Sequence, residues 1–178
     1  MRLTFSGVGG IMGENKAVMI LEEKNEKIVF PRWAELPEID LYMDQLISFF
    51  EKKLAFLFDK DEKGVTSTMI NNYVKHKLIM PPVKKKYSRE HLAYLFVIIT
   101  LKKVFTMSEI KMIIEKMTAN GIASTVYDDF CDSAECACAS VFGDKKIPRL
   151  DGFDPLLKSV SLAAAYKLYS QKLIEERR

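Results

Sequence analysis

No stretch of this 178-residue chain approaches the ~20 consecutive apolar residues that a bilayer-spanning helix requires. The longest apolar run near the N-terminus, Ala17–Leu21, is too short for the core of a secretion signal and lacks a cleavage context. Cysteine is scarce. Cys131, Cys136 and Cys138 are an odd number within eight residues, which excludes a disulfide framework and points to a reducing, cytoplasmic location. Net charge is small, with 27 Lys and Arg against 24 Asp and Glu, so the chain is not a polycationic coat for nucleic acid. Histidine is limited to His76 and His91, neither with a cysteine or a second histidine at ligand spacing. No Ser-His-Asp set, paired carboxylates or phosphate-binding loop is present. The glycine-rich residues 1–13 would need a glycine at position 12 to form GxGxxG, and Met12 stands there. The expectation is a protein that is not an enzyme and carries no cofactor.

What is present is a chain with 48% hydrophobic residues, enough to bury a sizeable core, arranged mostly at helical spacing. Gly9-Gly10 upstream of Met12 is what translation of a purine-rich ribosome-binding sequence yields. We therefore expect translation to start at Met12, with residues 1–11 not native; the absence of a GGAGG-like run before that codon would refute this. Residues 14–36 read as an extended arm, punctuated by Pro31 and Pro37 and anchored by Trp33. A helix is expected from Asp40, as N-cap, to Phe58. Met43, Leu46, Ile47, Phe50, Leu54, Leu57 and Phe58 lie on one face, and Tyr42, Phe49 and Phe56 form a second stripe. That stripe is either a ligand or partner surface or a second buried side. Further helices are expected from Thr66 to His76, from Ser88 to Lys103, from the Thr106-x-x-Glu109 capping box to just before Asn120-Gly121, over Ile122–Phe142, and from Asp154-Pro155 to the C-terminus. On a helix, Cys131 and Cys138 stand ~10.5 Å apart along the axis. Against Zn–S bonds of ~2.3 Å they cannot share one ion, while Cys136 points away towards Asp129 and Asp132, so the cysteines read as structural and no metal is expected.

Turned at about 100° per residue, the helix within Val65–Lys77 gathers Thr66, Ile70, Tyr73 and Val74 on one side. Thr68, Asn71, Asn72 and Lys75 gather on the other, without a carboxylate. Amides can pair bidentately with adenine edges, and a hydroxyl and an amine can reach bases or phosphates, which is the chemistry of a major-groove recognition helix. The loop that follows, Leu78-Ile79-Met80-Pro81-Pro82-Val83-Lys84-Lys85-Lys86-Tyr87, is apolar, then proline-stiffened, then basic. Residues 75–89 carry Lys75, Lys77, Lys84, Lys85, Lys86 and Arg89 and no Asp or Glu, a concentration suited to phosphates. The candidate DNA-contacting residues are Thr68, Asn71, Asn72, Lys75, Lys84, Lys85, Lys86 and Arg89.

Val65-Thr66, Ile70-x-x-Tyr73, Lys77-Leu78-Ile79-Met80-Pro81, Lys84-Lys85-Lys86-Tyr87-Ser88, His91-Leu92-x-x-Leu95 and Phe105-Thr106-Met107-Ser108-Glu109-Ile110-Lys111 occur in an order that resembles MerR-like winged helix-turn-helix regulators over about residues 60–115. The chain departs from that pattern at Asn71, where arginine is usual, and at Lys77, where glycine is usual. Its wing is also shorter and lacks the usual Asn-Gly turn. More narrowly, Leu36–Gln45 and Thr68–Lys75 are similar to an uncharacterised bacterial family of domains of unknown function, over about residues 33–175. That narrower family supplies no biochemical activity; the MerR-like resemblance implies a mainly α fold: a winged helix-turn-helix with additional N- and C-terminal helices. The expected layout is an arm over 1–35, the winged helix-turn-helix over 36–118, and a helical dimerisation or effector region over 119–178. It implies a sequence-specific transcriptional regulator of double-stranded DNA, with a protein-interaction module of the same shape as the alternative. In the last helix, Leu156, Leu157, Val160, Ala164 and Leu168 form one apolar face and Leu162, Tyr166, Tyr169 and Leu173 another, so a homodimer is expected, with an unidentified small-molecule effector as a further partner.

Overall fold

The structure, a computed structural model, describes residues 28–58, 62–118, 124–142 and 150–175. The expected Met12 start and the Asn120-Gly121 helix stop lie outside them. The described residues are mainly helical, with one two-stranded antiparallel sheet. In chain order they form β1 (Leu41–Tyr42), α1 (Met43–Lys53), α2 (Ser67–Lys75), β2 (Lys86–Tyr87), α3 (Arg89–Leu101), α4 (Met107–Met117), α5 (Ser124–Phe142) and α6 (Pro155–Glu175).

The centre is α3. Nine of its residues, Leu92, Ala93 and everything from Leu95 to Leu101, are buried, so it is apolar all round and has to be covered on every side. Phe96 meets Phe50 with ring centroids 4.6 Å apart, Phe49 at 6.0 Å and Tyr127 at 6.2 Å, joining α1 and α5 to it. The one fully buried polar residue on α3, Thr100, donates its hydroxyl back to the Phe96 carbonyl at 2.8 Å, so that hydroxyl is satisfied. α5 and α6 have the most extensive mutual packing of any pair of elements. Small buried residues, Ser133, Ala134 and Ala137 on α5 and Ser161 and Ala165 on α6, line that contact, and Ser133 donates to Ser161 at 3.0 Å inside it.

Caps place the helix ends. Thr66 Oγ1 accepts from the Met69 amide at 3.3 Å at the start of α2, and Thr106 and Glu109 cap α4 reciprocally. Asp154 Oδ1 accepts from the amides of Leu156 and Leu157 at the start of α6. The first helix differs from the sequence expectation in both directions. It starts at Met43, with the Tyr42 amide held by Gln45 Oε1 at 2.9 Å, and Asp40 is not its cap. The reason is tertiary: Leu41 and Tyr42 are taken up by β2. The helix also ends at Lys53 and passes into a 3-10 turn over Ala55–Leu57, so Asp40–Phe58 is not one helix. The Tyr42-Phe49-Phe56 stripe is thereby dissolved. Phe49 packs on Phe50 and Phe96, Phe56 meets Phe30 edge-on at 5.4 Å, and only Tyr42 is exposed.

Of the expected extended arm only residues 28–36 are described; they dock through Trp33, with Trp33–Glu35 turned into a 3-10 helix. Phe30 is buried, and Trp33 meets Tyr127 edge-on at 6.3 Å while its amide donates to Asp128 at 2.7 Å. Arg32 is bidentate on Glu135 at 2.7 and 2.8 Å and also reaches Asp132 at 2.6 Å; the hydrogen bonds it donates to Glu135 hold its guanidinium charged more firmly than usual. On α6, Leu157, Val160 and Leu168 are buried, whereas Leu156 of the same expected face is exposed. The second face is partly met by the chain itself, since Tyr169 lies edge-on to Phe142 at 5.1 Å, and Tyr166 remains exposed.

Two predictions follow from this packing. Arg32→Ala should lower unfolding stability by about 1–2 kcal/mol, the scale of a half-buried charge-assisted pair, in a denaturant titration. An unchanged midpoint would mean that the arm is held by Phe30 and Trp33 alone. Burial also pushes the Cys131 and Cys138 thiols from 9.0 up to about 12, and the Tyr73 phenol from 10.0 up to about 12. Below pH 9 these groups are neutral in both states. Above it the unfolded thiols ionise first, so stability should fall progressively between about pH 9 and pH 12, and a flat profile there would contradict the burial.

Candidate nucleic-acid interface

The basic loop after α2 is built from its two ends inward. Leu78 and Ile79 are buried and fix its start; Tyr87 is buried and fixes its finish. Between them Val83 and Lys86 exchange both backbone hydrogen bonds, at 3.1 and 2.9 Å, closing a hairpin whose two-residue turn is Lys84-Lys85. Both turn residues have positive φ, 49° and 64°, the conformation of a type I′ hairpin turn, which asparagine and glycine adopt most readily. The turn geometry is therefore present without the Asn-Gly pair. The hairpin is joined to the rest of the sheet through Leu41↔Tyr87 and Tyr42↔Lys86, so the chain ahead of α1 braces the loop behind α2.

The same pattern occurs at the end of α2. Leu78 N–H donates to the Tyr73 carbonyl at 2.9 Å and Lys77 N–H to Val74 at 3.0 Å, the paired bonds of a Schellman C-cap. The left-handed position of that cap, where glycine is usual, is Lys77 with φ 55°.

The polar face of α2 is where the helical period placed it. Ile70 and Tyr73 are buried, and Thr68, Asn71, Asn72 and Lys75 are exposed on the opposite side. Lys84 and Lys85 are exposed at the hairpin tip. Two of the candidate residues are engaged inside the protein. Lys86 is half-buried with Nζ 5.0 Å from the Tyr42 ring centroid. Arg89 is half-buried, its Nε 3.5 Å from the Pro37 carbonyl and a terminal nitrogen 3.3 Å from Glu38. These two brace the base of the hairpin against the strand in front of α1. Sequence reasoning missed Glu38 and Tyr42 as parts of this region, and it counted Lys77 in the basic stretch without naming it among the DNA-contacting residues. Only Lys77 carried a local signal, a lysine at a helix end that favours glycine.

At the root of the hairpin, the Ser88 amide donates to His91 Nδ1 at 3.1 Å, and the Ser88 hydroxyl lies 2.8 Å from the same nitrogen. That arrangement starts α3 one residue after β2. Beside it, Lys77, Leu78, Ile79, Glu90, Tyr94 and Ile114 line a groove of about 490 Å³ between the end of α2, α3 and α4. Residues 65–89 hold six Lys and Arg and no acidic residue; the chain has 27 basic and 24 acidic residues in all, so the remainder is net acidic.

A family model described as a domain of unknown function, DUF1836, matches residues 31–130. The chain belongs to that family. The match begins at the docked arm and ends within α5, short of the span to residue 175 suggested by the sequence resemblance, and it includes β1, the hairpin and the polar face of α2. No curated protein and no solved structure matches the chain. Among the described residues no helix is long and apolar enough to cross a membrane, and no group of three or more His, Cys, Asp or Glu is placed to hold a metal ion. Cys131 and Cys138 are buried, and their raised thiols are poor ligands and nucleophiles at neutral pH.

Replacing the turn by the residues its geometry favours, as K84N/K85G, should stabilise the fold by about 1–2 kcal/mol, because two side chains leave a left-handed conformation that costs about 1 kcal/mol each. Chemical denaturation checks this; a destabilised double variant would mean that the lysine side chains hold the hairpin.

Proposed function

We propose that this chain is a sequence-specific DNA-binding transcriptional regulator, with residues 36–118 acting as a winged helix-turn-helix of the MerR-like kind. The observation that carries the proposal is the exposed face of α2, two amides, a hydroxyl and an amine without a carboxylate, followed directly by a braced hairpin with lysines at its tip. The order strand, helix, helix, hairpin, helix, with the hairpin paired to the strand, suits insertion of α2 into a major groove with the wing beside it. Thr68, Asn71 and Asn72 read base edges; Lys75, Lys84 and Lys85 contact phosphates; Lys86 and Arg89 hold the wing and lend it charge.

α6 offers Leu156, Tyr166 and Ile174 as exposed apolar side chains, and a second copy covering them would give the two-fold arrangement that DNA half-sites favour. The groove beside Lys77 is the place where a small-molecule effector would touch both the end of α2 and α4. The exposure of Ile39, Met80 and Val83 near the hairpin favours the second reading, a protein-interaction module of the same shape without DNA-binding duty.

Selection of duplexes from a random pool, followed by titration of the winner and a scrambled duplex, tests the proposal. Asn72→Ala should weaken binding to the selected site by about 1–3 kcal/mol and relax preference at one position, because a base-edge pair is lost. Lys85→Ala should weaken both duplexes alike. Both residues are exposed, so neither variant should lose its fold. If no duplex is enriched and none is bound at low salt, the interaction-module reading replaces this one.

A further inference from the structure

Three non-glycine residues among those described have positive φ, and all three are lysines: Lys77 at 55°, Lys84 at 49° and Lys85 at 64°. Each sits at a position whose backbone role favours another residue. Lys77 occupies the left-handed position of a Schellman cap, where glycine is free of the Cβ clash. Lys84 and Lys85 occupy a two-residue hairpin turn, where Asn-Gly is preferred. Lysine has no local hydrogen bond to offer the left-handed conformation, unlike asparagine or aspartate. Local stability therefore runs against lysine at all three places.

Nothing inside the described protein compensates. Lys77, Lys84 and Lys85 are exposed, and none makes an ion pair or side-chain hydrogen bond among the described residues. Glu90 and Glu115 line the groove that Lys77 borders, but Glu115 is engaged by Lys111 at 3.9 Å, and neither lies within ion-pair distance of Lys77. Backbone strain retained at exposed, unpartnered cations marks residues held for what they meet outside the fold. Lys77 follows the polar face of α2 by two residues beyond Lys75, and Lys84 and Lys85 lie at the tip of the hairpin that begins from the same segment.

We infer that Lys77 is a further phosphate-binding residue, forming with Lys84 and Lys85 a set of strained lysines that brackets the reading face of α2 on the DNA backbone. The inference rests on the DNA-binding reading above. It adds a contact that the resemblance does not supply, since the MerR-like pattern has glycine at this place. It also sets stability against binding: at position 77 the residue that folds best should bind worst.

Three variants of the full chain, Lys77→Gly, Lys77→Gln and Lys77→Arg, are compared by thermal melting and by salt titration on the selected duplex and a scrambled one. Lys77→Gly should melt about 2–4 °C higher than wild type, the shift expected for relief of one left-handed side chain in a chain of this size. The same variant should bind both duplexes roughly 5- to 10-fold more weakly at about 0.1 M salt, with the salt slope reduced by about 0.9, the loss of one phosphate contact. Lys77→Gln should weaken binding equally without the rise in melting temperature, and Lys77→Arg should bind like wild type. A glycine variant that binds as wild type does overturns the inference while leaving the DNA-binding reading intact. A glycine variant that melts at or below the wild-type temperature also overturns it, because the lysine is then not opposed by its backbone. Wild type that binds no duplex removes the DNA-binding reading itself.

Discussion

A helix without a polar side imposes an arrangement on everything near it. α3 is buried from Leu95 to Leu101 without a break, so α1, α5, α6 and the sheet are positions on its circumference, filled because water is excluded from all of them. The arm is drawn into the same core through Phe30, which meets Phe56 and Phe130 edge-on. The consequence for function is mechanical. β2 ends at Tyr87, which is buried, and α3 begins two residues later at Arg89, so the hairpin projects from the leading end of the buried central helix. From Lys85 to that anchor is two residues, too short a span for the tip to wander. α2 is fixed to the same frame through Ile70 and Tyr73. α2 and a cationic hairpin held to one core keep a constant spacing, which the proposed recognition of a periodic polyanion requires.

Around that frame the chain departs from local rules in one region. Its caps follow common patterns: Thr66 on α2, Thr106 with Glu109 on α4, Asp154 on α6. Among the described residues the departures are the three left-handed lysines, all within residues 65–89, which hold six Lys and Arg and no acidic residue. Departures confined to one stretch, while the other described helix ends follow local rules, are the pattern expected where something other than folding selects the residues.

Much of this was legible in the residue pattern, for reasons that can be named. The two faces of α2 follow from the 3.6-residue period, and Ile70 and Tyr73 are buried where that period puts them. The Thr106-Glu109 box and Asp154-Pro155 are short-range chemistry and appear where expected. Trp33 anchors the arm because a large aromatic flanked by prolines has few other uses. What was not legible depends on contacts distant in sequence. Asp40 has the chemistry of a cap, yet β1 takes Leu41 and Tyr42 to pair with residues 86 and 87, and no local propensity announces a two-residue strand. The Tyr42-Phe49-Phe56 stripe is periodic only if the helix runs unbroken, and the 3-10 turn at Ala55–Leu57 breaks it. Arg89 looked free in the sequence because Glu38 and Pro37 lie some fifty residues earlier. The hairpin turn was hidden because lysine is an unusual residue for it.

The salt dependence of binding to duplex DNA tests the proposed interface most directly. Lys75, Lys77, Lys84 and Lys85 are exposed and make no ion pair among the described residues. Four phosphate contacts of this kind should give log K against log salt a slope of roughly −3 to −4 per protomer, measured by fluorescence anisotropy between about 50 and 200 mM salt. The slope should be similar on selected and scrambled duplexes, because phosphates carry it and base edges do not. A slope near zero, or binding confined to a protein partner, would contradict the claim that this surface is built for a polyanion.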